Sequence, residues 1–249
     1  MKFYKFGNGN KNMLILPALS LKPSIYSASA TAKTYSSFST EYTTYLLDWE
    51  MDLLEGTTIR DMANDVADFM VEHEISDADI IGCSMGGMIA QCLAYEHSEL
   101  VAKIVLASTR AVPTEHSTKI IDKWIELAEN RDAEGLNFDI WTKVYSKEFL
   151  DRKGPALKRI ATMVNEDEFR RFLVLAKAVK KFDSSEWLSS IKCPILVIGS
   201  DCDKVFRPSD FDYFVDNCGA EKYIFKGLSH ALFDEAPEFK EVVKEFFDR

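Results

Sequence analysis

Hydrophobic positions near the start of the chain alternate in KFYKF, Lys2 to Phe6, and then run almost unbroken through MLILPAL. The turn-like GNGN at 7–10 separates the two runs, so the pattern predicts a β-hairpin. TTYLLDW, Thr43 to Trp49, is apolar enough for a buried strand. From position 58 the period lengthens: Ile59, Met62, Val66, Phe69 and Met70 fall at helical spacing, with Thr57 or Thr58 placed to cap the helix. A regular alternation follows, with ADIIGC as a strand, MGGMIAQCLAYEH as a helix and VAKIVLAS as a strand. Strands separated by helices of this length predict a mostly parallel sheet flanked by helices, with both faces covered.

After Thr109 the rhythm changes, and residues 113–183 carry helical stripes without a strand. Trp124, Leu127 and Ala128 mark one stripe, and Phe169, Phe172, Leu173 and Ala176 another. The α/β alternation resumes with PILVIGS, a helix from Pro208 to Asn217, the strand EKYIFKG and a terminal helix in PEFKEVVKEFF. The expected organisation is one α/β core, residues 1–112 and 184–249, interrupted by a helical insertion at 113–183. At 249 residues the chain suits a single large α/β domain.

Composition narrows the function classes. With 47% hydrophobic and 28% charged residues the balance is that of a globular chain. A formal net charge of -10 argues against a nucleic-acid partner, because phosphate binding relies on clustered Lys and Arg. KAVKK, Lys177 to Lys181, is the only compact basic run and reads as a solvated helix face. The five cysteines, Cys83, Cys92, Cys193, Cys202 and Cys218, are odd in number and lack C-x-x-C spacing, so neither a disulfide framework nor a zinc site is expected. No apolar run approaches a membrane span or a leader's apolar region, and a cytoplasmic protein, monomeric or homodimeric, is the expectation.

The chemistry concentrates in DADIIGCSMGGMIAQ, Asp77 to Gln91, where Ser84 stands between Gly82 and Gly86 at a strand-to-helix turn. A nucleophilic serine must project its Oγ clear of the backbone, and a very tight turn does this. Such a turn crowds strand against helix, so side chains two residues either side would collide, which explains both glycines. It also leaves the amide of Met85 at a helix N-terminus, where unpaired donors favour an oxyanion. Serine needs a base, and the base an orienting carboxylate. Of the four histidines, His73 and His97 fall near helix ends and His116 at the entrance to the insertion. His230 follows the last strand, at the same sheet end as Ser84, and is the expected base. The strand PILVIGS is followed by two acids, Asp201 and Asp203, on either side of Cys202, and strand parity does not choose between them.

Together these residues resemble the α/β-hydrolase superfamily, with Ser, Asp and His in that chain order. The likeness is strongest in IIGCSMGGMIAQCLAYEHSELVAKIVLAS, PILVIGSDCDKVF and GLSHALFDEAP, and weak in the insertion, which corresponds to the family's variable cap. The family often follows its acid with any residue and then Val or Ile, as in Asp203-Lys204-Val205, so the resemblance favours Asp203, with Asp201 as the alternative in a loop one residue longer than usual. Where the family commonly shows His-Gly, this chain has LPALS; the resemblance places a second oxyanion donor at the N–H of Leu19, with Ala18 the less favoured choice. The family's glycine-rich loop after the next strand is replaced by DWEMDLLEGTT, and Ser98 stands where Pro is frequent.

The implied activity is that of a cofactor-free and metal-free serine hydrolase acting on a small or medium ester, thioester or lactone. Carbon–carbon hydrolysis, a lyase or an acyltransferase on the same residues, and a ligand-sensing binding protein, are the alternatives. The insertion is expected to roof the pocket, with Trp124, Trp141 and Trp187 as possible lining residues.

Overall fold

The computed structural model describes residues 1–249. Seven strands form one sheet: β1 (Lys2–Phe6), β2 (Lys11–Leu16), β3 (Tyr42–Asp48), β4 (Ala78–Cys83), β5 (Val101–Ala107), β6 (Ile195–Ser200) and β7 (Glu221–Phe225). The helices in chain order are α1 (Ala28–Thr34), α2 (Ile59–Glu72), α3 (Met85–Glu96), α4 (Glu115–Glu129), α5 (Ala133–Val144), α6 (Lys147–Ile160), α7 (Glu166–Lys181), α8 (Pro208–Cys218), α9 (Leu232–Glu235) and α10 (Phe239–Phe247). Four of them, α4 to α7, occupy the segment between β5 and β6, and no strand lies there.

The sheet runs β1-β3-β2-β4-β5-β6-β7, parallel throughout except for β1. Parallel strands are buried on both faces, and here successive residues divide between two cores with the period of two that a strand imposes. Leu14, Leu16, Ile80, Ile104 and Leu106 face the side covered by α2, α3 and α8. Met13, Ile15, Ile81, Val105 and Ala107 face the side covered by α1 and α10. The first core holds 49 buried residues against 20 in the second, because α4 and α7 join it.

The expected hairpin is not formed. β1 pairs antiparallel with β3, Lys2 opposite Asp48, whereas β2 lies on the other side of β3 and pairs with it in parallel, Lys11 opposite Tyr42. The reason lies in burial and in the glycines. Met13 to Leu16 are buried on both faces, which suits a sheet interior, while β1 is mostly exposed and suits an edge. Gly9 allows the loop to pass the start of β3: a Cβ there would stand 1.9 Å from the carbonyl carbon of Glu41. The loop therefore straddles β3.

Other expected elements appear with small shifts. Thr58 is the N-cap of α2, in a reciprocal capping box with Asp61 that satisfies two free N–H groups. Lys177 and Lys180 of the basic run pair with Glu129 and Asp122 on the exposed side of α7. All five cysteines are free thiols, and no helix is long and apolar enough to cross a membrane.

One buried ion pair fastens the inserted helices to the sheet. Arg171 of α7 donates through Nη2 to Asp48 at the end of β3, with both side chains almost fully buried. Asp48 also accepts from Ser24 Oγ at 2.8 Å and the Ile25 amide at 3.2 Å, so the segment after β2 is held by the same carboxylate. Removing one partner of such a pair strands the other charge in an apolar interior. Arg171→Ala is accordingly expected to lower unfolding free energy by about 3–5 kcal/mol, read from urea denaturation followed by far-UV circular dichroism.

Candidate active site

Ser84 occupies the single residue between β4 and α3, with φ 51° and ψ -109°, a left-handed conformation that side chains rarely adopt. The surrounding structure holds it there. Its amide donates to Ala107 O at 2.8 Å, its carbonyl accepts from Thr109 Oγ1 at 2.7 Å, and the Gly87 amide donates to the same carbonyl at 3.0 Å. The crossing of strand and helix is so close that a Cβ on Gly82 would lie 2.5 Å from Gly86 O, and one on Gly86 2.1 Å from Leu16 O. Gly87 adds a third close contact, with Thr109.

His230 lies in the loop between β7 and α9, and its Nε2 is 3.0 Å from Ser84 Oγ. Its Nδ1 is 2.9 Å from Asp203 Oδ2. The other carboxylate oxygen of Asp203 accepts the amides of Val205 at 2.8 Å and Phe206 at 3.0 Å, which fixes the carboxylate's rotation. The Phe206 ring meets the imidazole edge-on at 5.2 Å. Ser84, Asp203 and His230 are 8%, 7% and 4% exposed, so the three polar groups interact with one another largely out of bulk water.

The structure thus brings together Ser84, His230 and Asp203, and leaves Asp201 outside. Asp201 accepts the Gly227 amide at 2.8 Å, a bond that holds its carboxyl below the usual range and ties the β6 and β7 loops together. The remaining histidines are engaged elsewhere. His73 and His97 are the C-caps of α2 and α3, and His116 Nε2 lies 2.9 Å from Lys204 O. Cys202, between the two acids, is exposed. Met85 opens α3, where its amide has no partner within the helix. Leu19 and Ala18 follow β2 and border the same cavity as Ser84, and neither amide donates to a backbone acceptor. Ser84, Leu19, Asp203 and His230 therefore all stand beyond the C-terminal ends of parallel strands, where the divergence of the following loops leaves a crevice.

That crevice is a cavity of about 290 Å³ whose walls are mainly apolar. The inserted helices contribute Ile121 and Trp124 from α4, Ile140 and Trp141 from α5, and Ile160 from α6. Trp187, expected among the lining residues, is elsewhere: it stacks on Tyr95 at 4.9 Å and meets Phe182 edge-on. Its position after α7 carries it to the far side of the helices. A larger groove of about 860 Å³ lies there, between the start of α2 and α7, and none of Ser84, His230 or Asp203 borders it.

The histidine loop is bonded to the inserted helices. The Ala231 amide donates to Val144 O at 2.7 Å, Ser229 Oγ to Lys143 O at 2.8 Å, and the Ser146 amide to Glu235 Oε1 at 2.9 Å. Sequence reasoning missed these ties, as it missed Thr109 and Asp48. Thr109 carried no motif signal. The signal available for Glu235 was only its position five residues after His230.

Residues 26–184 match the family described as alpha/beta hydrolase fold, and the chain belongs to that family. The matched stretch contains Ser84 and the inserted helices and ends before Asp203 and His230. Among individual relatives, the chain is similar to 3-oxoadipate enol-lactonase 1 of Acinetobacter baylyi, 27% identical over 195 residues that span 76% of this chain and 70% of that one. In solved structures the fold recurs in the enol-lactonase from Burkholderia xenovorans LB400, with a TM-score of 0.86 and 21% identity over 100% of this chain and 96% of the other. It recurs also in MGS-M2, an alpha/beta hydrolase enzyme from a Medee basin deep-sea metagenome library, with a TM-score of 0.87 and 20% identity over 100% and 94% of the two chains.

The crossing at Ser84 can be tested against a glycine with room to spare. Gly86→Ala is expected to destabilise by about 1–3 kcal/mol or more, because backbone atoms of Leu16 must move. Gly154→Ala, in α6 with only its chain neighbours within 4 Å of the added carbon and Pro155 next to it, is expected to change stability by no more than about 1 kcal/mol. Thermal unfolding of both variants beside the parent chain measures the difference.

Proposed function

We propose that the chain is a serine hydrolase of carboxylic esters and lactones, acting through an acyl-enzyme on Ser84. The observation that carries this reading is the continuous hydrogen-bonded chain from Ser84 Oγ through His230 to Asp203, bordering an apolar cavity. The similarity to an enol-lactonase supports the ester or lactone class.

In the acylation step Ser84 Oγ attacks the carbonyl carbon while His230 Nε2 takes its proton. Asp203 keeps the imidazole turned so that Nδ1–H points to the carboxylate, and it stabilises the imidazolium as it forms. The negative charge that develops on the carbonyl oxygen is met by the amides of Met85 and Leu19. The first is part of a helix N-terminus and adds that helix's dipole. The imidazolium then protonates the departing alkoxide; in a lactone that group stays tethered to the acyl chain. A water molecule, deprotonated by the same imidazole, hydrolyses the acyl-enzyme and restores Ser84.

Residues 113–183 serve as a cap over the α/β core of 1–112 and 184–249. Apolar side chains of the inserted helices give the cavity most of its wall, which favours small or medium acyl groups, and they shield the reacting carbonyl from bulk water.

Hydrolysis of p-nitrophenyl acetate, butyrate and octanoate tests the reading. Ser84→Ala and His230→Ala are each expected to lose nearly all turnover, a fall on the order of 10⁴-fold or more, and Asp203→Asn about 10⁴-fold in kcat. Asp201→Asn, whose carboxylate bonds to the Gly227 amide and not to His230, is expected to stay within a few-fold of the parent. A parent chain no faster than its Ser84→Ala variant, or equal losses at the two aspartates, refutes the assignment.

A further inference from the structure

The cavity beside Ser84 holds a second carboxyl group that the hydrolytic chemistry does not use. Asp234, in α9 and four residues beyond His230, borders the cavity. One of its oxygens, Oδ2, accepts a long bond of 3.4 Å from Tyr145 OH, and Oδ1 accepts from no protein donor. Its neighbour Glu235 is spent on the Ser146 amide and hydroxyl at the start of α6, so the two adjacent acids have different work.

Most other polar side chains of the wall are hydroxyls, amides or indoles. Asn137 gives its amide hydrogens to Ala133 O and Ala161 O, and Ser20 Oγ donates to Lys22 O. No arginine borders the cavity. Lys22 is its single lysine, an exposed side chain 3.7 Å from Glu168 Oε1, so its charge faces that carboxylate. Asp234 is exposed to the water of the cavity, and the walls packed around it, with Glu235 nearby, push its carboxyl up to about 6. No cation offsets that effect. Above that pH Asp234 presents a negative charge, with no cation paired to it, to whatever enters.

We propose that the cavity selects uncharged or cationic acyl substrates, and that Asp234 sets this selectivity by repelling a substrate carboxylate and accepting a hydrogen bond from a substrate donor. The proposal rests on reading this cavity as the substrate site. Like charges brought together in a cleft walled by apolar side chains are disfavoured by more than in open water, whereas an N–H or O–H donor would satisfy the free Oδ1. It follows that resemblance to a lactonase named for a dicarboxylic acid does not carry that acid's charge preference to this chain.

The test separates binding from turnover. Ethyl hexanoate, ethyl 6-aminohexanoate and monoethyl adipate share an acyl length and differ in distal charge. Their affinities for the Ser84→Ala protein, which lacks the nucleophile, are measured by titration calorimetry at pH 8. The neutral and ammonium esters are expected to bind, with monoethyl adipate at least about tenfold weaker. Adding Asp234→Asn should close most of that gap and weaken the ammonium ester. Monoethyl adipate bound as tightly as ethyl hexanoate, an unchanged gap in the Asp234→Asn protein, or no binding of any ester overturns the proposal. The expected binding pattern without turnover in the parent chain would refute the hydrolase reading alone, and turnover with charge-blind binding would refute this inference alone.

Discussion

The approach of β4 and α3 at Ser84 constrains everything around it. Two backbone segments cross with less room than one methyl group requires, so Gly82 and Gly86 are dictated by space, and the serine between them is forced to φ 51°. Such a conformation costs on the order of 1–3 kcal/mol, and the bonds to Ala107, Thr109 and Gly87 are what hold it. The result is a hydroxyl raised above the sheet and a helix N-terminus beneath it. One steric constraint thereby sets both the position of the hydroxyl oxygen and the local positive potential.

The rest of the site reaches that oxygen by two routes. The parallel sheet brings the ends of β2, β4, β6 and β7 to one side, which gathers Leu19, Ser84, Asp203 and His230 from distant parts of the chain. The inserted helices then brace the loops that carry them. α5 is bonded to the histidine loop through Val144 and Lys143, and Lys204, next to the acid, donates to Thr142 O at 3.0 Å. At the opposite end α7 is fixed by Arg171 to Asp48, whose carboxylate also holds Ser24 and Ile25. Helices that line the cavity are thus also part of the framework around it.

Much of this was legible from residue pattern. The strand-to-helix turn has a steric signature that survives in any sequence able to form it, and His230 was marked by its place after the last strand. The choice between Asp201 and Asp203 was different, because both lie in one loop with the same parity. Only the path of that loop sets which carboxylate meets His230: Asp203 turns back under the amides of Val205 and Phe206 to face it, while Asp201 binds Gly227. The hairpin reading failed for a related reason. Alternation and glycines locate a strand end, but they do not say that the paired neighbour of Lys2 is Asp48 rather than a residue of the next strand.

By itself, then, the sequence determined the periodic elements, the parallel α/β core, the helical insertion and the crowded turn at Ser84, since each follows from local sterics and from the spacing of apolar side chains. Tertiary structure decided which distant groups meet. The Arg171 to Asp48 pair spans 123 positions, Ser84 to His230 spans 146, and Trp187 turned away from the cavity that Trp124 and Trp141 line. Asp234 gives no periodic signal and forms no motif of its own; its place beside a mainly apolar cavity comes only from packing. Contacts of that kind depend on how whole layers pack, and a charge acquires its effect from the dielectric and the partners that packing supplies.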